Sequence, residues 1–363
     1  MVRGLLSVRP MLLSTRTLVA ALVTTTACFS SVAPPGGDDH GGWSLDDAIE
    51  YRDDLAAHPG CTTAGLDYPA ATITGYRCAA KAYPFPGGVS EDTGAPIVIL
   101  VHGNSDAPEE WERFEDGAPM LAERLAAAGV RTYAVDLRID EVDDPQGNND
   151  TENAARNVDH GWSVPLVQHL LEAVLAAHPD RQVSLVGFSL GVTTVRDALR
   201  RFHAAGEVTL WPRLDDVVLL AGANHGVSSF ARLCGKNPTM RGQVACQMGN
   251  RDGYSPTDFL LALNGDDGAY ETPCGDGQTA FGDDACGGHT VHYTTVVMRD
   301  IANGSYQDEF VSQASAALAG ADNRTVGLED VDQSGYFFGG LLKNHYGACR
   351  SEAALTIAME VLR

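Results

Sequence analysis

One serine of the chain has the surroundings of a catalytic nucleophile. Ser189 lies in the sequence Gly-Phe-Ser-Leu-Gly (residues 187–191), between a β-rich run from Gln182 to Phe188 and apolar residues at helical spacing from Val192 to Phe202. Such a strand-to-helix turn lifts a serine clear of the sheet, and it needs both glycines because a Cβ would press against the neighbouring strand or helix. The helix that follows directs free N–H groups at developing negative charge. The pattern predicts a nucleophilic Ser189, and a serine in an ordinary tight turn is the alternative.

A second segment predicts the oxyanion hole that such a serine needs. The continuous apolar run from Pro96 to Val101 is typical of a strand buried on both faces of a parallel sheet, and His-Gly-Asn follows it. Ligands of open α/β folds bind at the carboxyl ends of such strands. We therefore predict that the backbone N–H groups of Asn104 and Leu190 stabilise the oxyanion. His102 is interpreted as a structural residue that braces the loop, because a base so early would break the chain order serine, acid, histidine.

The acid is expected downstream of Ser189, in the loop that follows a predicted strand at residues 292–300. Asp308 is the preferred acid because it lies several residues beyond the strand, where the chain can turn back toward the site. Asp300, at the strand end itself, is the competitor.

The base is predicted to be His345, the only histidine after Asp308 in the chain. It precedes a helix predicted over residues 351–362. In this arrangement His345 takes the Ser189 proton and returns it to the leaving alcohol, while Asp308 fixes the tautomer and stabilises the imidazolium. A surface histidine near a helix start is the alternative.

Several short motifs occur here in a defined order. They are Val-His-Gly-Asn (101–104), Gly-Phe-Ser-Leu-Gly (187–191), Ala-Gly-Ala-Asn-His-Gly (221–226), Asp-Phe-Leu-Leu-Ala-Leu-Asn (258–264) and Tyr-Thr-Thr (293–295). With this combination, residues 95–363 resemble the class 2 bacterial secreted lipases of the α/β-hydrolase superfamily. The resemblance implies an α/β-hydrolase fold, in which a mostly parallel central sheet has helices on both faces. It also makes His225 a structural residue of a turn.

The same resemblance bears on the acid. The acid of that family lies in a Ser-x-x-Asp-x-x-Val pattern, and Ser305, Asp308 and Val311 keep this spacing. Two features depart from the family: Phe188 and Leu190 flank the serine where His or Met are common, and residues 299–304 lengthen the acid loop.

The chain divides into three predicted parts. Residues 1–30 are typical of a signal peptide, because arginines precede an apolar stretch, residues 17–27, that is too short to span a bilayer. Cleavage before Cys28 loosely resembles a lipoprotein site, and ordinary signal-peptidase cleavage is the alternative. The protein is therefore expected to be secreted, or anchored to a membrane through Cys28. Residues 31–93 are interpreted as linker and N-terminal extension, and residues 94–363 as the catalytic domain, with an insertion at 227–288.

The eight cysteines fit an oxidising compartment. The simplest pairings are local ones, although connectivity does not follow from sequence: Cys61 with Cys78, Cys234 with Cys246 and Cys274 with Cys286, which leaves Cys349 over. No spacing resembles a Cys or His zinc set, so neither a metal nor a cofactor is predicted. The acidic tracts at 265–268 and 282–284 are interpreted as solvated turns, with calcium binding as the alternative.

The formal net charge of −23 over 363 residues argues against nucleic acid as a partner, because phosphates would be repelled. It suits a neutral substrate, either a small-molecule or a lipid ester. Two segments have two interpretations each. The insertion forms a lid over Ser189 or a disulfide-stapled surface loop, and the aromatic run at 336–342 contacts an acyl chain or lipid interface, or is buried. No oligomeric state is predicted.

Together these features predict a secreted serine ester hydrolase, a lipase or carboxylesterase that acts on neutral acyl esters through an acyl-enzyme. Two alternatives stay open, because fold and triad do not determine the acyl group. One is an extracellular polyester depolymerase of the polyhydroxyalkanoate type. The other is a hydrolase-fold protein that binds without catalysis.

Overall fold

A computed structural model of the protein describes residues 80–103, 106, 108–112, 117–135, 163–227, 248, 258–265, 271–276, 285–301, 308–331 and 343–363. The predicted signal peptide with Cys28, most of the linker, Asn104, most of the insertion and the aromatic run at 336–342 lie outside these residues. Among the described residues, no helix combines the length and apolar composition that crossing a membrane requires.

The described strands form one sheet of seven: β1 (Ala80–Ala82), β2 (Ile97–Val101), β3 (Thr132–Val135), β4 (Val183–Phe188), β5 (Leu214–Leu220), β6 (His292–Met298) and β7 (Asp322–Val326). Their order is β1-β3-β2-β4-β5-β6-β7. Every neighbouring pair is parallel except β1 with β3, which is antiparallel. The chain moves from β2 to one side and then, from β4 onward, to the other. Ligands of open parallel sheets bind at such a reversal, here at the carboxyl ends of β2 and β4.

The described helices are α1 (Leu121–Ala127), α2 (Ser163–Ala177), α3 (Leu190–Ala204), α4 (Asp258–Asn264), α5 (Gln313–Ala316), α6 (Lys343–Arg350) and α7 (Glu352–Val361). Short 3-10 turns at Pro108–Trp111, Trp211–Arg213 and Leu328–Asp330 complete the set. The helix predicted at 351–362 is confirmed as α7, and the Ser351 side chain caps it by accepting the Ala354 N–H at 3.2 Å.

Both faces of the sheet are covered, as the apolar run of β2 predicts. All five β2 residues are buried. Ile97, Ile99 and Val101 belong to one core with α2 and α3, whereas Val98 and Leu100 belong to a second core with α1, α6 and α7. Because successive strand side chains point to opposite faces, a strand between two helical layers must be apolar throughout. The predicted fold class, a mostly parallel sheet with helices on both faces, is confirmed.

The sheet also includes residues before position 94. β1 comes from the segment interpreted as an N-terminal extension, and Lys81 pairs with Ala134 of β3 at the sheet edge. The proposed boundary at residue 94 therefore does not coincide with the start of the sheet.

Helix α6 was not predicted from the sequence. Gly347 lies in its middle, where glycine costs about 1 kcal/mol relative to alanine. A Cβ on Gly347 would lie 2.6 Å from Cγ2 of Val331. The glycine therefore allows α6 to pack closely on the body of the protein, and tertiary packing outweighs its low helix propensity.

The described part of the insertion contains one disulfide. Cys274 and Cys286 are bonded, as the local pairing predicts, and Cys349 is a free, buried thiol. The other two predicted pairings lie outside the described residues.

Candidate active site

The turn between β4 and α3 has the strained geometry that a nucleophile elbow requires. β4 ends at Phe188 and α3 begins at Leu190, so Ser189 alone makes the turn. Its backbone has φ 52° and ψ −118°, in the region that non-glycine residues rarely adopt. Its N–H donates to the carbonyl of Leu220 on β5 at 2.9 Å, which holds the strained residue against the sheet.

The two glycines of the elbow are required by contacts with backbone. A Cβ on Gly187 would lie 2.8 Å from the backbone of Val192 in α3. A Cβ on Gly191 would lie 2.3 Å from the carbonyl oxygen of Val101 and 2.5 Å from that of His102. Neither contact can be relieved by a side-chain rotation. One glycine thus lets α3 approach β4, and the other lets it approach β2.

Three side chains predicted from sequence meet at this turn. Ser189 Oγ lies 2.9 Å from His345 Nε2, and His345 Nδ1 lies 2.9 Å from Asp308 Oδ2 and 3.0 Å from Oδ1. An ionised carboxylate only accepts hydrogen bonds, so Nδ1 carries the proton in this arrangement and Nε2 is left to accept from the serine hydroxyl. This tautomer is the one that a general base for Ser189 needs.

Of the two acid candidates, the structure brings Asp308 to His345. Asp308 is buried, and its Oδ1 accepts the N–H groups of Phe310 at 2.7 Å and Val311 at 2.9 Å, so the carboxylate is held independently of the histidine. Asp300 lies elsewhere in the loop, where its Oδ1 accepts the Gln313 N–H at 3.0 Å.

The imidazole of His345 is enclosed by aromatic rings. It lies in the first turn of α6 and is only 5 % exposed. The Phe188 ring centroid is 5.1 Å away, and the Phe310 ring meets the imidazole edge-on at 5.2 Å. Packing of this kind limits the ring to one orientation.

The predicted oxyanion hole is only partly within the described residues. Leu190 is the first residue of α3, so its N–H has no carbonyl one turn earlier within the helix. Asn104 lies outside the described residues. The preceding Gly103 passes directly beside Ser189, since a Cβ on the glycine would lie 3.3 Å from Ser189 Cβ. His102 is buried, with Nδ1 2.8 Å from the carbonyl of Gly103, in the loop-bracing position expected of it.

A buried polar cluster lies beneath this loop, and sequence reasoning missed it. Glu110 Oε2 accepts the Gly103 N–H at 3.3 Å, and the thiol of Cys349 lies 3.8 Å from its Oε1. Burial raises the pKa of Glu110 well above its usual range, and the nearby Asp106 raises it further. Tyr346, the residue after the histidine, donates to Asp106 Oδ2 at 2.9 Å. No sequence signal marks Glu110, because one of two adjacent glutamates in a polar loop looks solvated.

A second buried network ties α3 to the described part of the insertion. Arg196 is fully enclosed and donates to Asn264 Oδ1 at 2.7 Å and to the Glu271 carbonyl at 2.9 Å. Burial lowers its pKa to about 10. His225, expected to be structural, lies 2.9 Å from Glu271 Oε1 and 3.1 Å from the carbonyl of Ser315.

Metal-ligand residues converge at one place in the described chain. His203 lies beside Cys274 and Cys286, with the candidate ligand atoms within 4.8 Å of one another. The two sulfur atoms are bonded to each other, so they offer no thiolate to a cation.

A comparison with protein-family models agrees with this architecture. Residues 98–334 match a family model described as "Alpha/beta hydrolase family". The chain is also similar to solved structures, among them the mature lipase BlEst2 of Bacillus licheniformis (19 % identity, 78 % of this chain and 97 % of that one, TM-score 0.47) and lipase B of Aspergillus fumigatus (18 %, 87 % and 64 %, TM-score 0.46). Another is the carboxylesterase CesB of Bacillus subtilis (16 %, 78 % and 91 %, TM-score 0.34). No curated protein sequence matches the chain.

Proposed function

The chain belongs to the α/β hydrolase family, and we propose that it is a serine ester hydrolase, a lipase or carboxylesterase that cleaves neutral acyl esters through an acyl-enzyme. One observation carries the proposal: a continuous hydrogen-bond chain runs from Ser189 Oγ through His345 to a buried Asp308, and it starts on a strained turn. Strain of this kind persists where function requires it.

In the first half-reaction, Ser189 Oγ attacks the ester carbonyl carbon while His345 Nε2 takes the hydroxyl proton. The carbonyl oxygen becomes an oxyanion, which the N–H groups of Leu190 and Asn104 stabilise. Asp308 stays ionised and balances the charge of the imidazolium. The tetrahedral intermediate then collapses, the bond to the leaving alcohol breaks, and the alcohol departs with the proton from Nε2. Ser189 is left as an acyl ester.

In the second half-reaction, a water molecule replaces the alcohol. His345 Nε2 takes a proton from the water as its oxygen attacks the acyl carbon, and the same two N–H groups hold the second oxyanion. Collapse of this intermediate returns the proton to Ser189 Oγ and releases the carboxylic acid. The enzyme ends in its starting state, with no net change in protons or electrons on the protein.

Substrate and location are part of the proposal. A net charge of −23 disfavours anionic substrates and supports neutral esters. Export is supported by the apolar stretch at residues 17–27 and by the Cys274–Cys286 disulfide, a bond that suits an oxidising compartment. We propose that the mature protein is secreted, or held at a membrane through Cys28 if the leader is processed as a lipoprotein.

The test uses the purified mature protein, Ser189→Ala and a matched control, Ser90→Ala, whose serine is exposed on the protein surface. Each protein is treated with a fluorophosphonate probe and with p-nitrophenyl esters from acetate to palmitate. We expect labelling of wild type and Ser90→Ala, no labelling of Ser189→Ala, and a loss of kcat in that variant of about 10⁴-fold or more.

The ester series also separates the possible acyl groups. A preference for short esters indicates a carboxylesterase, and a preference for long ones a lipase. Clearing of a polyhydroxyalkanoate film with weak activity on all soluble esters would indicate a depolymerase. A folded wild-type protein that neither reacts with the probe nor cleaves any ester would overturn the proposal and favour a binding protein.

A further inference from the structure

The turn at residues 308–311 contacts His345 in three ways. Asp308 accepts from the ring at Nδ1, and the Phe310 ring packs against the imidazole. Glu309 reaches the backbone of the histidine instead of its ring. Its Oε2 accepts the His345 N–H at 2.7 Å, and its Oε1 accepts the Asn344 N–H at 3.3 Å. Two consecutive carboxylates therefore hold the same residue, one at its ring and one at its main chain.

We propose that Glu309 is a positioning residue of the ester hydrolysis, which holds the main chain of His345 so that the imidazole meets Ser189 and Asp308 at the same time. The inference rests on the proposed function. It assigns a role to a residue that touches neither the substrate nor the reacting atoms.

Helix α6 explains why its first turn needs such an acceptor. The helix begins at Lys343, so the N–H groups of Asn344 and His345 precede any carbonyl partner within the helix. A carboxylate at a helix N-terminus satisfies these donors and interacts favourably with the helix dipole. The 2.7 Å bond to the His345 N–H has the length of a charge-assisted hydrogen bond.

The position of the imidazole tolerates little movement. His345 must keep Nε2 at 2.9 Å from Ser189 Oγ and Nδ1 at 2.9 Å from Asp308 Oδ2, on opposite sides of one ring. A shift of the α6 first turn lengthens at least one of these bonds. Displacements of about 1 Å at reacting groups cost on the order of 100-fold in rate.

The acid itself does not depend on Glu309. The Asp308 carboxylate is held by the N–H groups of Phe310 and Val311, within its own turn. Removal of the Glu309 side chain therefore leaves the acid in place and frees the base. Because Glu309 is exposed, its replacement buries no new polar group, and the variants are expected to fold.

The experiment compares Glu309→Ala, Glu309→Gln and a matched control, Glu329→Ala, which removes an exposed glutamate bonded to Arg299 at 3.1 Å. We expect Glu309→Ala to lose about 10- to 100-fold in kcat with KM within about twofold of wild type, since orientation is lost and substrate binding is not. Glu309→Gln keeps an acceptor oxygen and should retain kcat within about threefold. Glu329→Ala should behave as wild type.

A second measurement separates positioning from folding. The low-field proton resonance of His345 Nδ1–H, bonded to Asp308, should broaden or disappear in Glu309→Ala while circular dichroism stays unchanged. It should persist in Glu309→Gln and Glu329→Ala.

Three results would overturn the inference. They are an unchanged kcat in Glu309→Ala, an effect on KM alone, and an equal loss in the Gln and Ala variants, because the acceptor oxygen would then not be the cause. A wild-type protein without turnover or probe labelling would instead mean that the proposed function has failed.

Discussion

The amino ends of the parallel strands, here called the amino edge, differ from their carboxyl ends, the carboxyl edge. At the amino edge Glu91 bridges two arginines, whereas at the carboxyl edge Glu110 is buried beside a second carboxyl group. Arg131, directly before β3, binds Glu91 through Nε at 2.8 Å and Nη2 at 2.6 Å, and Arg181, just before β4, binds the same carboxylate. The hydrogen bonds from Arg131 lower the pKa of Glu91 to about 2. The charge of Glu91 is therefore matched by opposite charge.

The carboxyl edge has the opposite character. Burial and the nearby Asp106 raise the pKa of Glu110, and Arg350 only partly offsets them. Burial likewise raises the pKa of the Cys349 thiol. Ser189, at the same edge, has a positive φ.

This difference indicates that the amino edge contributes to stability, whereas the carboxyl edge carries the proposed function. Ion pairs at the amino edge join loops that precede neighbouring strands, and they lie at the opposite ends of the strands from Ser189. Costly groups accumulate at the carboxyl edge, where the reaction is proposed to occur. Perturbed pKa values and backbone strain tend to cluster at functional sites, because only selection for activity maintains them against their cost in stability. Substitutions at the two edges should therefore affect different measurements.

The largest effect is expected for Asp308→Asn at the carboxyl edge. The amide can donate to Nδ1 and so favours the wrong tautomer, in which Nε2 carries the proton and cannot accept from Ser189. We expect kcat for p-nitrophenyl esters to fall by about 10⁴-fold, with the protein still folded. Asp300→Asn, in the same loop, is the control and should stay within about threefold of wild type. A larger loss in Asp300→Asn would make Asp300 the acid.

The next largest effect is expected for Gly191→Ala, which tests whether the elbow requires close backbone contact. The new Cβ would meet the carbonyl oxygens of Val101 and His102 at 2.3 and 2.5 Å. Overpacking of this kind typically costs about 1–3 kcal/mol, and the backbone shift that relieves it would also displace Ser189. We expect lower stability in urea denaturation together with loss of activity.

Gly87→Ala is the matched control for the elbow glycine, because no heavy atom lies within 4 Å of its Cβ position. Its stability should change by less than about 0.5 kcal/mol. A Gly191→Ala variant as stable and active as this control would show that α3 can move away from β2 freely.

The elbow and the order of its partners could be predicted because each has a local signature. The switch from strand to helical spacing around Ser189 and the flanking glycines depend on neighbouring residues alone. The distance along the chain favours Asp308 over Asp300, and the structure places Asp308 against His345. The catalytic roles of these residues remain predictions.

The features that could not be predicted from the sequence depend on tertiary packing. Glu110 and Glu309 both lie in polar segments, yet one is buried beneath the loop after β2 and the other accepts the His345 N–H. Nothing within a few residues of either distinguishes these environments. Helix α6 is hard to predict for the same reason. Gly347 has a low helix propensity, and the packing against Val331 that requires a glycine there is a non-local contact.

The raised pKa of Glu110 should make the free energy of unfolding depend on pH. Its pKa is raised in the folded protein above the unfolded value of 4.5, so the folded state binds a proton that the unfolded state has lost. Stability should therefore fall as pH rises above about 4.5, by at most about 1.4 kcal/mol per pH unit from this group, until the folded-state pKa is reached. Glu110→Gln removes the titration and keeps an oxygen for the Gly103 N–H, so its stability should decline less.

Urea denaturation of wild type and Glu110→Gln between pH 5 and about pH 9 measures this difference. Glu207→Gln is the control, since this glutamate is exposed. Parallel pH curves for wild type and Glu110→Gln would show that Glu110 is ionised in the folded protein, and the contrast between the two edges would then fail.

The smallest effect is expected at the amino edge. Glu91→Gln weakens the hydrogen bonds to Arg131 and Arg181, and we expect a loss of about 1–2 kcal/mol in unfolding free energy at neutral pH. The pKa of Glu91 is lowered, so its contribution to stability is present above about pH 4.5 and disappears as pH falls toward 2, the reverse of the trend at Glu110.

Glu352→Gln is the matched control for Glu91→Gln. Its bidentate pair with Arg124 is similar, but the carboxylate is 72 % exposed, so the change should stay below about 0.5 kcal/mol. Glu91→Gln should not alter kcat, because the amino edge only supports the strands. Glu352→Gln should not alter it either, because the Glu352 carboxylate pairs with Arg124 and not with a residue of the site. A loss of kcat in Glu91→Gln comparable to that in the carboxyl-edge variants would contradict this expectation. It would mean that a structural change at the amino ends of β3 and β4 displaces residues at their carboxyl ends, so that the two edges are not independent.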